Sequence, residues 1–131
     1  MPVVRVYVPA GPAEVRALRE AGQLASDTAA FGAAAGATEE QEHVAWVAAA
    51  DEAADLVSAT GARRVVISAD VDVALLDPAP TTVPARTTIT APLPLRRVVS
   101  FHVDEEVGTG VADLLWYDVT ELAEVARLLE R

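Results

Sequence analysis

Residues 64–73 alternate between two kinds of side chain, and this run constrains the fold more than any other stretch of the chain. Val65, Ile67, Ala69, Val71 and Val73 fall on one side, and Val66, Ser68, Asp70 and Asp72 on the other. A period of two belongs to a strand with one face buried, so the chain must build a half-covered sheet. The same alternation runs from Val4 through Val8, and again where Val99, Phe101 and Val103 are interleaved with Ser100, His102 and Asp104. Leu114-Leu115-Trp116-Tyr117 is a further β-prone run. The short segment Arg86-Thr87-Thr88-Ile89-Thr90 lies among five prolines between Pro78 and Pro94, which suits an edge strand because proline cannot serve an interior ladder.

Helical signals fall between these strands. Pro12 fits a first helical position, Val15 and Leu18 share a face, and Gly22 offers a left-handed exit, so a helix is predicted over 12–21. Thr38-Glu39-Glu40-Gln41 is a capping box, followed by Trp46, Ala49, Ala50, Ala53, Leu56 and Val57 at helical spacing until Gly61. The other side of this helix carries Val44, Val47 and Ala48, less polar than a solvent face, and a partner contact is expected there. Asp118, with Glu121 three residues later, caps a last helix whose apolar stripe is Leu122, Val125, Ala126 and Leu129. Residues 23–37 read mostly as loop around Phe31, and Gly108-Thr109-Gly110 as a turn. The expected architecture is a single α+β domain over residues 1–131. It has a mixed sheet of four or five strands with about three helices packed on one face. Ser68, Asp70, Asp72, His102 and Asp104 would then lie on the uncovered face, with Arg5 and Tyr7.

Composition removes whole classes of chemistry. The chain has no cysteine, so thiolate metal sites and cysteine nucleophiles are excluded, and its ten basic residues are all Arg. Without lysine there is no Walker-type lysine, Schiff base or Ser-Lys dyad. A net charge of −10 repels phosphate backbones and anionic surfaces, so neither nucleic acid nor membrane is an expected partner. Mean hydropathy is +0.28, yet no run reaches the ~18 apolar residues of a membrane span. The opening Met1-Pro2-Val3-Val4-Arg5 lacks the pattern of a signal peptide, and a cytoplasmic location is expected.

The segments Arg5-Val6-Tyr7-Val8-Pro9-Ala10, Arg63 to Val71, Val99 to Glu105, and Leu114-Leu115-Trp116-Tyr117 occur in an order that resembles a family of small proteins from high-GC Gram-positive bacteria. That family is classed only as a domain of unknown function. The resemblance implies a cytoplasmic α+β domain and brings no catalytic residues with it.

Two functional readings follow from the residues. Asp70 and Asp72, like His102 and Asp104, are two apart on one strand and project from one face. On neighbouring strands these four residues would suit a divalent cation such as Mg, Mn or Zn, or a general base held by a carboxylate with Ser100 or Tyr117 nearby. Acidic residues on an outer strand face are also what solubility alone requires. Ser68 and Ser100 lie inside strands, and no Gly-x-Ser-x-Gly elbow occurs. The first expectation is therefore a non-enzymatic binding or regulatory module that contacts a protein partner or a second copy through the uncovered sheet face or the Val44/Val47/Ala48 side of the main helix, with no cofactor. The alternative is a small metal-assisted or acid–base enzyme centred on His102, Asp104, Asp70 and Asp72. His43 reads as a surface or capping residue, and of Trp116 and Tyr117, on opposite strand faces, one is expected inside.

Overall fold

The computed structural model describes residues 3–81, 85–105 and 114–130. The chain runs β1 (Val3–Ala10), α1 (Pro12–Ala21), β2 (Gln23–Leu24), β3 (Thr28–Gly32), α2 (Glu39–Val57), β4 (Val65–Asp72), β5 (Leu76–Asp77), β6 (Ala85–Ile89), β7 (Leu93–Pro94), β8 (Val98–Asp104), β9 (Leu114–Asp118) and α3 (Leu122–Leu129). Short 3-10 turns at Val73–Leu75, Leu95–Arg97 and Val119–Glu121 lead into β5, β8 and α3. The helix predicted over 12–21 forms. Glu14 accepts a hydrogen bond from the Gly11 N–H at 2.8 Å, and Gly22 closes the helix with φ of 72°. The capping box of α2 also forms: Gln41 N–H donates to Thr38 Oγ1 at 3.2 Å, and Thr38 N–H to Gln41 Oε1 at 3.0 Å.

The fold is α+β, but its sheet is larger than the alternation predicted. Among the described residues one sheet has seven strands in the order β5-β6-β3-β1-β4-β8-β9, and β2 pairs with β7 in a separate ribbon. Every described pairing is antiparallel, so the sheet is not mixed. The additional strands come from segments without clear alternation. β3 lies in the stretch read as loop, where Ala29 and Ala30 carry little pattern of their own. β6 is not an edge strand, because the two-residue β5 pairs with Thr88 and Ile89. The turn expected at Gly108-Thr109-Gly110 lies outside the described residues.

The helices do not share one face. The main core packs Val15 and Leu18 of α1 and Val125 and Ala126 of α3 against Val4, Val6, Val8, Val65, Ile67, Ala69, Phe101 and Val103. A second cluster on the opposite face joins Tyr7, Phe31 and Val66 to Ala45, Ala49 and Ala50 of α2. The polar residues of that face suggested solvent, but the three large side chains of Tyr7, Phe31 and Val66 among them need cover, and α2 provides it. Burying each of these is favourable by about 1.5–3 kcal/mol. Leu56, placed in the buried stripe by its spacing, is 54% exposed; Ala53 and Val57 are the buried positions of that turn.

Candidate functional site

On the α2 face the strands are in register, and register decides which side chains meet. Tyr7 pairs with Ser68, and Ser68 with Ser100, giving one row across β1, β4 and β8. Val66 pairs with His102, and His102 with Trp116, giving a second row that reaches β9. Arg5 lies opposite Asp70. Above these rows runs the first half of α2, where Glu39, Glu42, His43 and Trp46 follow an i, i+3, i+4, i+7 spacing and so share one helix face. Helix and sheet enclose an open cleft of about 520 Å³. It is lined by that α2 stripe and by Arg5, Tyr7, Ser68, Ser100, His102, Leu114 and Trp116.

Aromatic rings form the cleft's walls. His43 stacks on Trp46 with ring centroids 5.5 Å apart and planes at 18°, and Trp46 meets His102 edge to face at 5.3 Å and 72°. Trp116 stands at the rim, 59% exposed. Among the described residues Trp46 Nε1 and His102 Nδ1 are buried without a hydrogen-bond partner, at a typical cost of about 1–3 kcal/mol each. Buried polar groups in native proteins are nearly always satisfied, so each of these calls for an explanation such as a water, an ion or a role at a site.

The charges of the cleft are also asymmetric. Arg5 Nε donates to Asp70 Oδ1 at 2.6 Å and Nη2 to Oδ2 at 3.3 Å, so its charge is matched by a carboxylate on the neighbouring strand. That hydrogen-bonded carboxylate raises the Arg5 pKa. Burial, reinforced by the charge of Glu42, raises the pKa of Tyr7 and keeps its phenol protonated. Burial lowers the pKa of His102, which favours the neutral imidazole. Glu39 and Glu42 form no ion pair among the described residues.

The four residues read as a metal or acid–base group are placed apart in their roles. Asp104 is 5% exposed and accepts from Arg64 Nε at 3.0 Å on each oxygen and from the Arg64 backbone N–H at 3.1 Å. It therefore serves Arg64, and His102 Nδ1 donates no hydrogen bond to it. Asp70 holds Arg5, and Asp72 accepts from the Ala74 N–H at 2.9 Å to cap a 3-10 turn. Among the described residues no three carboxylate or imidazole side chains come together as a metal site. Tyr117 packs against the main core on the other sheet face, away from His102, while Ser100 does line the cleft. Of the α2 trio, Val44 is 41% exposed, whereas Val47 is half-buried and Ala48 packs against the second cluster.

The sequence pattern assigned Trp46 to the buried stripe, His43 to the surface or a cap and Glu39 to the capping box, and gave Glu42 no role. Their shared spacing was the available signal, since four chemically distinctive side chains on one face of an otherwise alanine-rich helix need a common neighbour.

The fold and cleft define a small antiparallel α+β domain with helices on both sheet faces and an aromatic, acidic cleft between α2 and the sheet. Residues 4–113 match the family of unknown function DUF6912, and the chain belongs to that family. No curated protein and no solved structure matches the chain. The family match ends before β9, so Trp116 on the cleft rim lies beyond it.

Proposed function

We propose that this chain is a non-enzymatic binding module that receives a segment of a protein partner in the cleft between α2 and the sheet. The observation that carries this reading is Trp116. An aromatic side chain 59% exposed at the mouth of an aromatic-lined cavity gains a great deal from being covered, and buried tryptophans are frequent anchors of protein contacts. The position of Trp116 on β9, the last strand of the sheet order, adds to the argument, because a terminal strand leaves room for a partner alongside. Leu115, on the opposite strand face, is 37% exposed and extends the apolar surface around the strand.

The test is site-specific photo-crosslinking in the native cell, with the photoreactive residue placed at position 116 or at position 44. A discrete adduct formed from position 116 is expected, followed by a saturable tryptophan fluorescence change when the identified partner is purified and added back. An adduct of twice the chain mass would identify the partner as a second copy. Crosslinking from position 44 alone would move the contact to the outer side of α2 and overturn the cleft reading.

A further inference from the structure

Resting on the cleft as the contact site, we propose that the group it accepts is an organic cation: the guanidinium or ammonium of an Arg or Lys side chain on the partner. The charges of the cleft favour a cation. Among the described residues its lining contains one formal positive charge, Arg5, and that charge is already matched by Asp70. Glu39 and Glu42 line the cleft without an ion pair among the described residues. They stand in the first turn of α2 together with Glu40. The helix terminus supplies only about half a positive charge to set against these three carboxylates, so the end of α2 that overhangs the cleft is net negative. His102, neutral because it is buried, does not offset them.

The rings supply the second half of the argument. Trp46, Trp116 and Tyr7 line the cavity, and the negative faces of aromatic rings attract a cation, with tryptophan the best partner. Ser68 and Ser100 on the floor add hydroxyl oxygens that can accept from N–H donors, whereas a purely apolar side chain would leave them without a partner. Among the described residues of the lining, an anionic guest would meet two unmatched carboxylates and no Arg other than the Asp70-paired Arg5. A cavity of about 520 Å³ also falls within the size range of side-chain and small-ligand sites. The chain's net charge of −10 would draw a basic segment toward the surface from a distance.

Both tryptophans of the chain line this cleft, so intrinsic fluorescence reports on it directly. The probes are N-acetyl-arginine amide and N-acetyl-lysine amide, with N-acetyl-citrulline amide as the neutral isostere of the first. A saturable fluorescence change is expected with the two cations, and binding of the citrulline compound should be weaker by about tenfold. The double variant Glu39→Gln, Glu42→Gln keeps the side-chain shapes and should weaken arginine amide binding by about tenfold, with unchanged thermal unfolding as the folding control. Citrulline amide binding within twofold of arginine amide overturns the cation assignment and leaves the cleft reading intact. So does an unchanged affinity in the Glu39/Glu42 variant. No saturable response to either cation at millimolar concentration also overturns the assignment. Failure of the cleft reading itself shows separately, in the position of the crosslink.

Discussion

Truncating Asp104 to Ala should destabilise the domain severely, because Asp104 is the partner of a buried guanidinium and not a member of the cleft. Arg64 is 3% exposed and Asp104 5% exposed. The substitution removes the carboxylate contacts to Arg64 Nε at 3.0 Å and to the Arg64 N–H at 3.1 Å, while the charge stays inside. Breaking one side of such a pair costs about 3–5 kcal/mol, a large share of the roughly 5–15 kcal/mol that stabilises a typical domain. At this chain length the loss corresponds to a fall in Tm on the order of 10–20 °C. Urea unfolding followed by circular dichroism gives the free energy, provided the m-value is unchanged. If Asp104 instead served His102 or a metal, its removal would leave stability nearly unchanged. A cost below about 1 kcal/mol for Asp104→Ala would refute the structural role argued for it.

Three smaller effects follow from the same geometry. Asp70→Asn should lower stability by no more than about 1 kcal/mol, because the Arg5–Asp70 pair is partly exposed and screened by solvent; the same variant frees the Arg5 charge and should weaken cation binding in the fluorescence titration. Thr38→Ala removes the side-chain cap of α2 and should cost about 0.5–2 kcal/mol in urea unfolding. His102 is held below its ordinary pKa of 6.5 by burial, so its contribution to stability is intact above that value and is lost as pH falls through the depressed folded value. An NMR titration should place its midpoint below 6.5, and His102→Phe should flatten the acid-side fall in stability; a midpoint at or above 6.5 would contradict the burial.

The strands with clean alternation were legible because one of their faces is wholly apolar. β1, β4 and β8 are adjacent interior strands of the sheet, and Val6, Val8, Val65, Ile67, Phe101 and Val103 are all fully buried. β3 was not legible, since its Ala29 and Ala30 fit loop, helix or strand equally well and only the pairing of Thr28–Gly32 with its neighbours β6 and β1 makes it a strand. Asp104 misled for a related reason. Its alternation with Val103 places it correctly on the α2 face, but a period of two cannot show that Arg64, forty positions earlier, lies beside it. Half of the cleft was visible in pattern, as the polar face carrying Arg5, Tyr7, Ser68, Ser100 and His102. The other half depends on which face α2 covers, and this follows from the tertiary packing of three apolar side chains on separate strands.

The cleft itself results from the unequal sizes of the side chains beneath α2. Ala45, Ala49, Ala50 and Ala53 are fully buried, and with only a methyl group each they let the helix lie close to β1, β3 and β4. Toward β8 and β9 the space between helix and sheet is occupied by Trp46, His102 and Trp116, whose rings are too large to let that side close equally. A helix seated on alanines along one side and held off by rings along the other must leave a wedge between them. The α2 stripe of Glu39, Glu42, His43 and Trp46 faces into that wedge, so its carboxylates and rings are presented together. Larger side chains at Ala45 or Ala49 would lift the seated side of the helix and change the shape of the wedge, which makes the small residues of α2 as important to the site as the aromatic residues that line it.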